Sequence, residues 1–201
     1  DFDGDAEVLG DVDQWKVDGD FSATADLDIL GSLDKFQIKS DFDGEADILE
    51  DVDQWKVDGD FNGIAEVDGR LNKIDIKGSH TGHLDVDDFL DDFKADSVNG
   101  GVIDAGFDVG KVDVKNDFTD GQLLVEDFIE EVDIGGNFNN SDILAGRLET
   151  VSIGGTVLNG VGHEIRAQNG TYELNVGGQT FRITIGDDEF INGLHAHVDP
   201  V

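Results

Sequence analysis

The chain has 201 residues and carries 47 acidic against 13 basic side chains, a formal net charge of −34. That excess repels nucleic acid and anionic lipid, and it leaves cations, basic proteins and mineral surfaces as the natural complements. With no cysteine there is no disulfide framework and no thiolate metal site, and no stretch approaches the roughly 20 apolar residues of a membrane span.

Taken in order, the chain repeats one phrase, apolar-x-x-apolar-x-apolar-x-Gly-Asp-Phe. It reads Val12, Trp15, Val17, Gly19, Asp20, Phe21, then Val52, Trp55, Val57, Gly59, Asp60, Phe61. More worn copies follow at Leu71, Ile74, Ile76, Gly78 and at Ile129, Val132, Ile134, Asn137, Phe138. The copies recur about every 19 to 21 residues, a solenoid period. Coils begin at Asp1, Asp20, Asp41, Asp60, Ser79, Ser97, Asp117, Asn137 and Thr156. Within a coil, short runs alternate inward and outward residues, as at Ala65–Glu66–Val67 and Ile74–Asp75–Ile76. That is the period of a strand with one buried face, and Gly, Asp and Asn between the runs supply turns.

The fold expected is all-β: a single-stranded right-handed parallel β-helix of about nine to ten coils of roughly 19–21 residues. Three inward ladders follow. One holds Phe2, Phe21, Phe42, Phe61, His80, Val98, Phe118, Phe138 and Val157. The others run from Trp15 through Phe36 and Trp55 to Val151, and from Val17 through Ile38 and Val57 to Ile153. His80 marks a polar break in the core or a local bulge. Residues 1–155 form the regular acidic coils. Residues 156–201 are poorer in Asp and have longer alternating runs at Tyr172–Val176 and Phe181–Ile185, which reads as divergent coils serving as a cap or docking end.

The outward rows differ in charge. One reads Asp18, Lys39, Asp58, Lys77, Asp96, Lys115, alternating in sign coil by coil. Another reads Glu7, Asp26, Asp47, Glu66, Asp85, Asp104 with no basic residue interposed. Unit charges about 4.8 Å apart repel by about 0.9 kcal/mol even at the dielectric of water. Bound calcium would relieve this, since carboxylates are its hard-oxygen ligands and it accepts loose geometry. The turn residues Asp20, Asp41, Asp60 and Asp117 are candidate co-ligands, and several ions are expected. Screening in a salty medium, without ordered sites, is the competing account.

Other constellations are weaker. Acid/base catalysis on an acidic polysaccharide would pair carboxylates with arginine, but Arg70, Arg147, Arg166 and Arg182 are scattered, and the carboxylates repeat in every coil. No catalytic residue is assigned; a β-helix polysaccharide lyase or hydrolase is the alternative. His80 and His83 stand at a spacing that could share a metal. His195 and His197 share a strand face and are possible zinc or copper ligands, although exposed histidines are the plainer reading.

The phrase Gly59-Asp60-Phe61-Asn62-Gly63 resembles repeats of large exported bacterial and archaeal surface proteins, the β-helices of adhesins, surface layers and extracellular filaments. The likeness covers roughly residues 1–155. It implies a non-enzymatic structural or adhesive part outside the cell or on its surface, often calcium-dependent. An unpaired coil edge would favour head-to-tail stacking into a homo-oligomer or filament.

Overall fold

The computed structural model describes residues 1–157, 163–184, 186, 188–191 and 194–199. They form an all-β chain without helix, wound as a parallel β-solenoid of about nine turns. Among the described residues no helix is long and apolar enough to cross a membrane. Each turn contributes a rung to two sheets and a short bridge to a third side.

The first sheet stacks Asp5–Val8, Asp26–Ile29, Glu45–Ile48, Ile64–Val67, His83–Val86 and Val102–Ala105 in parallel register. It continues through the opening residues of Gln122–Ile134 and Asp142–Ile153, then Glu164–Ala167 and Leu194–Val198. The second sheet stacks Trp15–Val17, Leu33–Ile38, Val52–Val57, Leu71–His80, Leu90–Asn99 and Val109–Val114. It goes on through the closing residues of the two long strands to Thr171–Val176. Alternation sets this arrangement: in Val52–Val57, Val52, Trp55 and Val57 are buried while Asp53 and Gln54 are exposed.

All three expected ladders are present. Phe2, Phe21, Phe42, Phe61 and His80 bridge in succession, and Phe138 bridges Val157. Ring centroids along this side lie 5.1, 5.0 and 4.7 Å apart from Phe2 to Phe61, close to the rise of a β-stack. Trp55 lies 4.6 Å from Phe36, on the neighbouring inward ladder. Burying such rings with the aliphatic rows beside them drives folding, at about 25 cal/mol per Å² of apolar surface.

His80 replaces a phenylalanine inside this ladder. It is fully buried, its Nε2 lies 3.0 Å from the Val102 carbonyl oxygen, and burial pushes its pKa down to about 4, so it is neutral at pH 7. The register also shifts just before it: Ile76 to Ser79 holds one residue more than the paired step from Ala95 to Ser97 in the next coil. His83 is exposed on the outer face of the first sheet, so the two histidines do not converge.

Beyond Ile153 the winding changes. Thr171–Val176 turns through Gly177 and Gly178, both at positive φ, into the antiparallel strand Gln179–Thr184, as a two-residue hairpin turn requires. Asp188–Ile191 pairs antiparallel with Leu194–Val198. In each sheet the last described strand belongs to a hairpin rather than a coil.

Candidate cation-binding face

The two sheets handle charge differently. On the second, Lys39 Nζ lies 2.9 Å from Asp18, Lys77 Nζ 2.7 Å from Asp58 and Lys115 Nζ 3.0 Å from Asp96. Lys56 closes on Asp58 from within its own coil at 2.8 Å. Hydrogen bonds from Lys56 and Lys77 hold the Asp58 carboxyl below its ordinary value. The alternating row therefore forms ion pairs between successive coils, each a small term in solvent, and in register they oppose slippage of the stack.

The acidic stretch of the first sheet's outer face has no such relief among the described residues. Its central row is Glu7, Asp28, Asp47, Glu66, Asp85, Asp104, followed by Leu124, Leu144, Arg166 and His197. Asp26, expected in this row, stands two residues away, between Asp5 and Glu45 in the adjacent row. The reason is a longer turn in the second coil. Asp5 follows Phe2 by three residues, but its partner Asp26 follows Phe21 by five. The extra length lies in a turn where Ala25 N–H donates to the Ser22 carbonyl at 2.9 Å, and Ser22 and Thr24 hydroxyls meet at 3.1 Å. Ala25 is buried and mimics the inward residue that starts other strands. Counting back from the second sheet finds the register, because Val8 to Val12, Ile29 to Leu33 and Ile48 to Val52 are the same step.

Asp47 sits at the centre of this face. Burial, then Glu66, Glu45, Asp28 and Asp26, push its pKa up to about 6, and its Oδ1 is buried without a hydrogen-bond partner. Asp104 is raised too, by burial first and Asp85 second. The face thus carries carboxylates that resist ionising together. No three of them bring ligand oxygens within 4.8 Å of one another among the described residues.

The turn aspartates do a different job. Asp41 Oδ1 accepts the Asp60 backbone N–H at 2.8 Å, and Asp60 Oδ1 accepts that of Ser79 at 2.7 Å. Asp117 Oδ1 accepts the Asn137 N–H at 2.7 Å, and Asn137 Oδ1 that of Thr156 at 3.0 Å. The series starts with Asp1 and Asp20. The glycine of the phrase belongs to the same device. A Cβ on Gly59, Gly78 or Gly136 would collide with Oδ1 of Asp41, Asp60 or Asp117 from the coil before. Where the glycine is Ser40, its hydroxyl bonds to Asp20 and, with the Asp41 amide, holds that carboxyl below its ordinary value. Gly31 and Gly69 leave room in the same way for Asp11 and Asp51, which accept the Ser32 and Arg70 amides at 3.1 and 2.9 Å. Asp20, Asp41, Asp60 and Asp117 therefore each commit one oxygen to stitching coils together, at a corner that is not the acidic face.

One groove breaks the repetition. Asp104, Leu124, Glu126, Leu144, Arg166 and Gln168 line a shallow depression where the acidic row gives way to leucines. No family model matches this chain, and neither a curated protein nor a solved structure is detectably similar to it.

Proposed function

We propose that the chain is a non-enzymatic structural rod whose first sheet presents an acidic face to divalent cations, calcium foremost, in an extracellular or cell-surface setting. The observation that carries this reading is the in-register row Asp28, Asp47, Glu66, with Asp47 pushed up to about 6, beside a sheet where the same repulsion is cancelled by lysines. Carboxylates in register on successive coils suit ions bridging the rungs, several along the rod and each held loosely. Extracellular calcium modules of low ligand density have dissociation constants of roughly 10⁻⁴–10⁻³ M, which fits millimolar calcium outside cells.

Equilibrium dialysis of the chelator-stripped chain against calcium tests it. Saturable uptake of several ions at sodium chloride near physiological strength, reduced in Asp47→Asn/Glu66→Gln, is the expected result. Uptake that vanishes with sodium chloride alone would reduce the face to a screened polyanion.

A second reading rests on the groove of Asp104, Glu126 and Arg166. A raised carboxyl beside another carboxylate and an arginine could work on an acidic sugar as acid, base and carboxylate clamp. Incubation with uronate polysaccharides decides it: turnover lost in Asp104→Asn would favour the groove, and no turnover leaves the rod.

A further inference from the structure

A different kind of site stands beyond the acidic face. In Leu194–Val198 the residues Leu194, Ala196 and Val198 are buried, so His195 and His197 both project outward. Their rings stack with centroids 4.3 Å apart at 25°. The parallel neighbour is Glu164–Ala167, which places Glu164 directly opposite His195. One ligand atom from each of Glu164, His195 and His197 falls within 4.8 Å of the others, the only such trio among the described residues.

The spacings leave room for an ion. His197 Nε2 lies 3.5 Å from Glu164 Oε1 and 3.4 Å from Asp199 Oδ1, longer than the roughly 2.7–2.9 Å of a charge-assisted hydrogen bond. The edge of a tetrahedron around zinc, with ligands near 2.0–2.1 Å, is about 3.3 Å. His197 Nδ1 is buried without a partner, leaving Nε2 as the nitrogen turned to the carboxylates. Two imidazole nitrogens with a carboxylate are the donor set of a borderline transition ion. Calcium is a poor occupant, since it takes oxygen ligands.

We propose that Glu164, His195 and His197 form a zinc-type site that clips the strand Leu194–Val198 onto Glu164–Ala167, with water at the fourth position. Asp199 Oδ1 lies 3.4 Å from His197 Nε2 without joining the trio, and its other oxygen is 4.0 Å from Arg166 Nε. The site is independent of the acidic face, both in place and in the metal it selects.

The test is titration of the whole chelator-stripped chain with zinc chloride in excess calcium, followed by calorimetry, with cobalt(II) as a spectroscopic substitute. Expected are one equivalent of zinc that calcium does not displace, and intense visible cobalt bands of a tetrahedral site. His195→Gln and His197→Gln should each weaken binding by at least about tenfold, and Glu164→Gln should do so to a lesser degree. Zinc uptake with the same isotherm in the His195→Gln/His197→Gln double variant overturns the site. So does a wild-type cobalt spectrum like that of the free aqueous ion, a result that does not depend on any variant folding.

Discussion

Oδ1 of Asp60 accepts the backbone N–H of Ser79 at 2.7 Å, nineteen residues later in the chain, in the space that Gly78 leaves by having no Cβ. The Gly-Asp pair of the repeat is thus one device split across two coils: the aspartate of one coil reaches the amide of the next through the gap made by its glycine. A backbone donor at the sheet corner gains a charged acceptor, the arrangement that makes an acidic side chain a good cap.

That relation predicts non-additive substitutions. Gly78→Ala should destabilise the rod by about 1–3 kcal/mol through steric conflict, and Asp60→Ala by about 1 kcal/mol through the lost hydrogen bond. The double variant should cost less than the sum by about 0.5 kcal/mol or more, as for residues in contact. Relief will be partial, because the Gly59 carbonyl also lies against a Cβ at position 78. Urea unfolding of the four proteins measures the coupling.

Asp47 predicts an inverted response to acid. Its carboxyl ionises near 6 in the fold and at about 3.8 unfolded. Between these values the folded chain holds the extra proton, so Asp47 contributes increasing stability as pH falls from above 6 toward 4, and its ionised form penalises folding at pH 7. Asp47→Asn should raise the melting temperature at pH 7 by about 2–4 °C, discounting for partial exposure. At pH 4 the gain should disappear. Thermal melts of both proteins across this window check it.

His80 works in the opposite direction. The unfolded imidazole protonates near 6.5, whereas the buried one waits until about 4. Stability from keeping His80 neutral is fully present above 6.5 and is lost as pH falls toward 4, by about 3 kcal/mol over the window. Relative to a His80→Leu variant, the wild type should weaken steadily from pH 6.5 to 4. A constant difference between the two would show that the ring is not held neutral.

Much of this architecture can be read from residues alone. The Phe ladder, the Trp15–Phe36–Trp55 ladder and the Asp18–Lys39 and Asp58–Lys77 pairs follow from strict alternation repeated at a nearly fixed interval. Asp28 in place of Asp26 was not readable from the Phe anchor, because two residues inserted before the strand leave its alternation intact and Ala25 imitates an inward position. The stitching role of Asp41, Asp60 and Asp117 depends on which backbone amide a side chain can reach, and a pattern of acidic residues carries no such direction. Glu164 is far in sequence from His195, and hairpin strands intervene before Leu194–Val198 returns beside it. Only the fold brings those donors together.

Melting the chelator-stripped chain in calcium chloride and in sodium chloride of equal ionic strength tests the acidic face most directly. Low-millimolar calcium should raise the melting temperature beyond the sodium control, and Asp28→Asn/Asp47→Asn/Glu66→Gln should abolish the excess. An equal rise in both salts, or a calcium effect undiminished in that variant, would contradict the assignment.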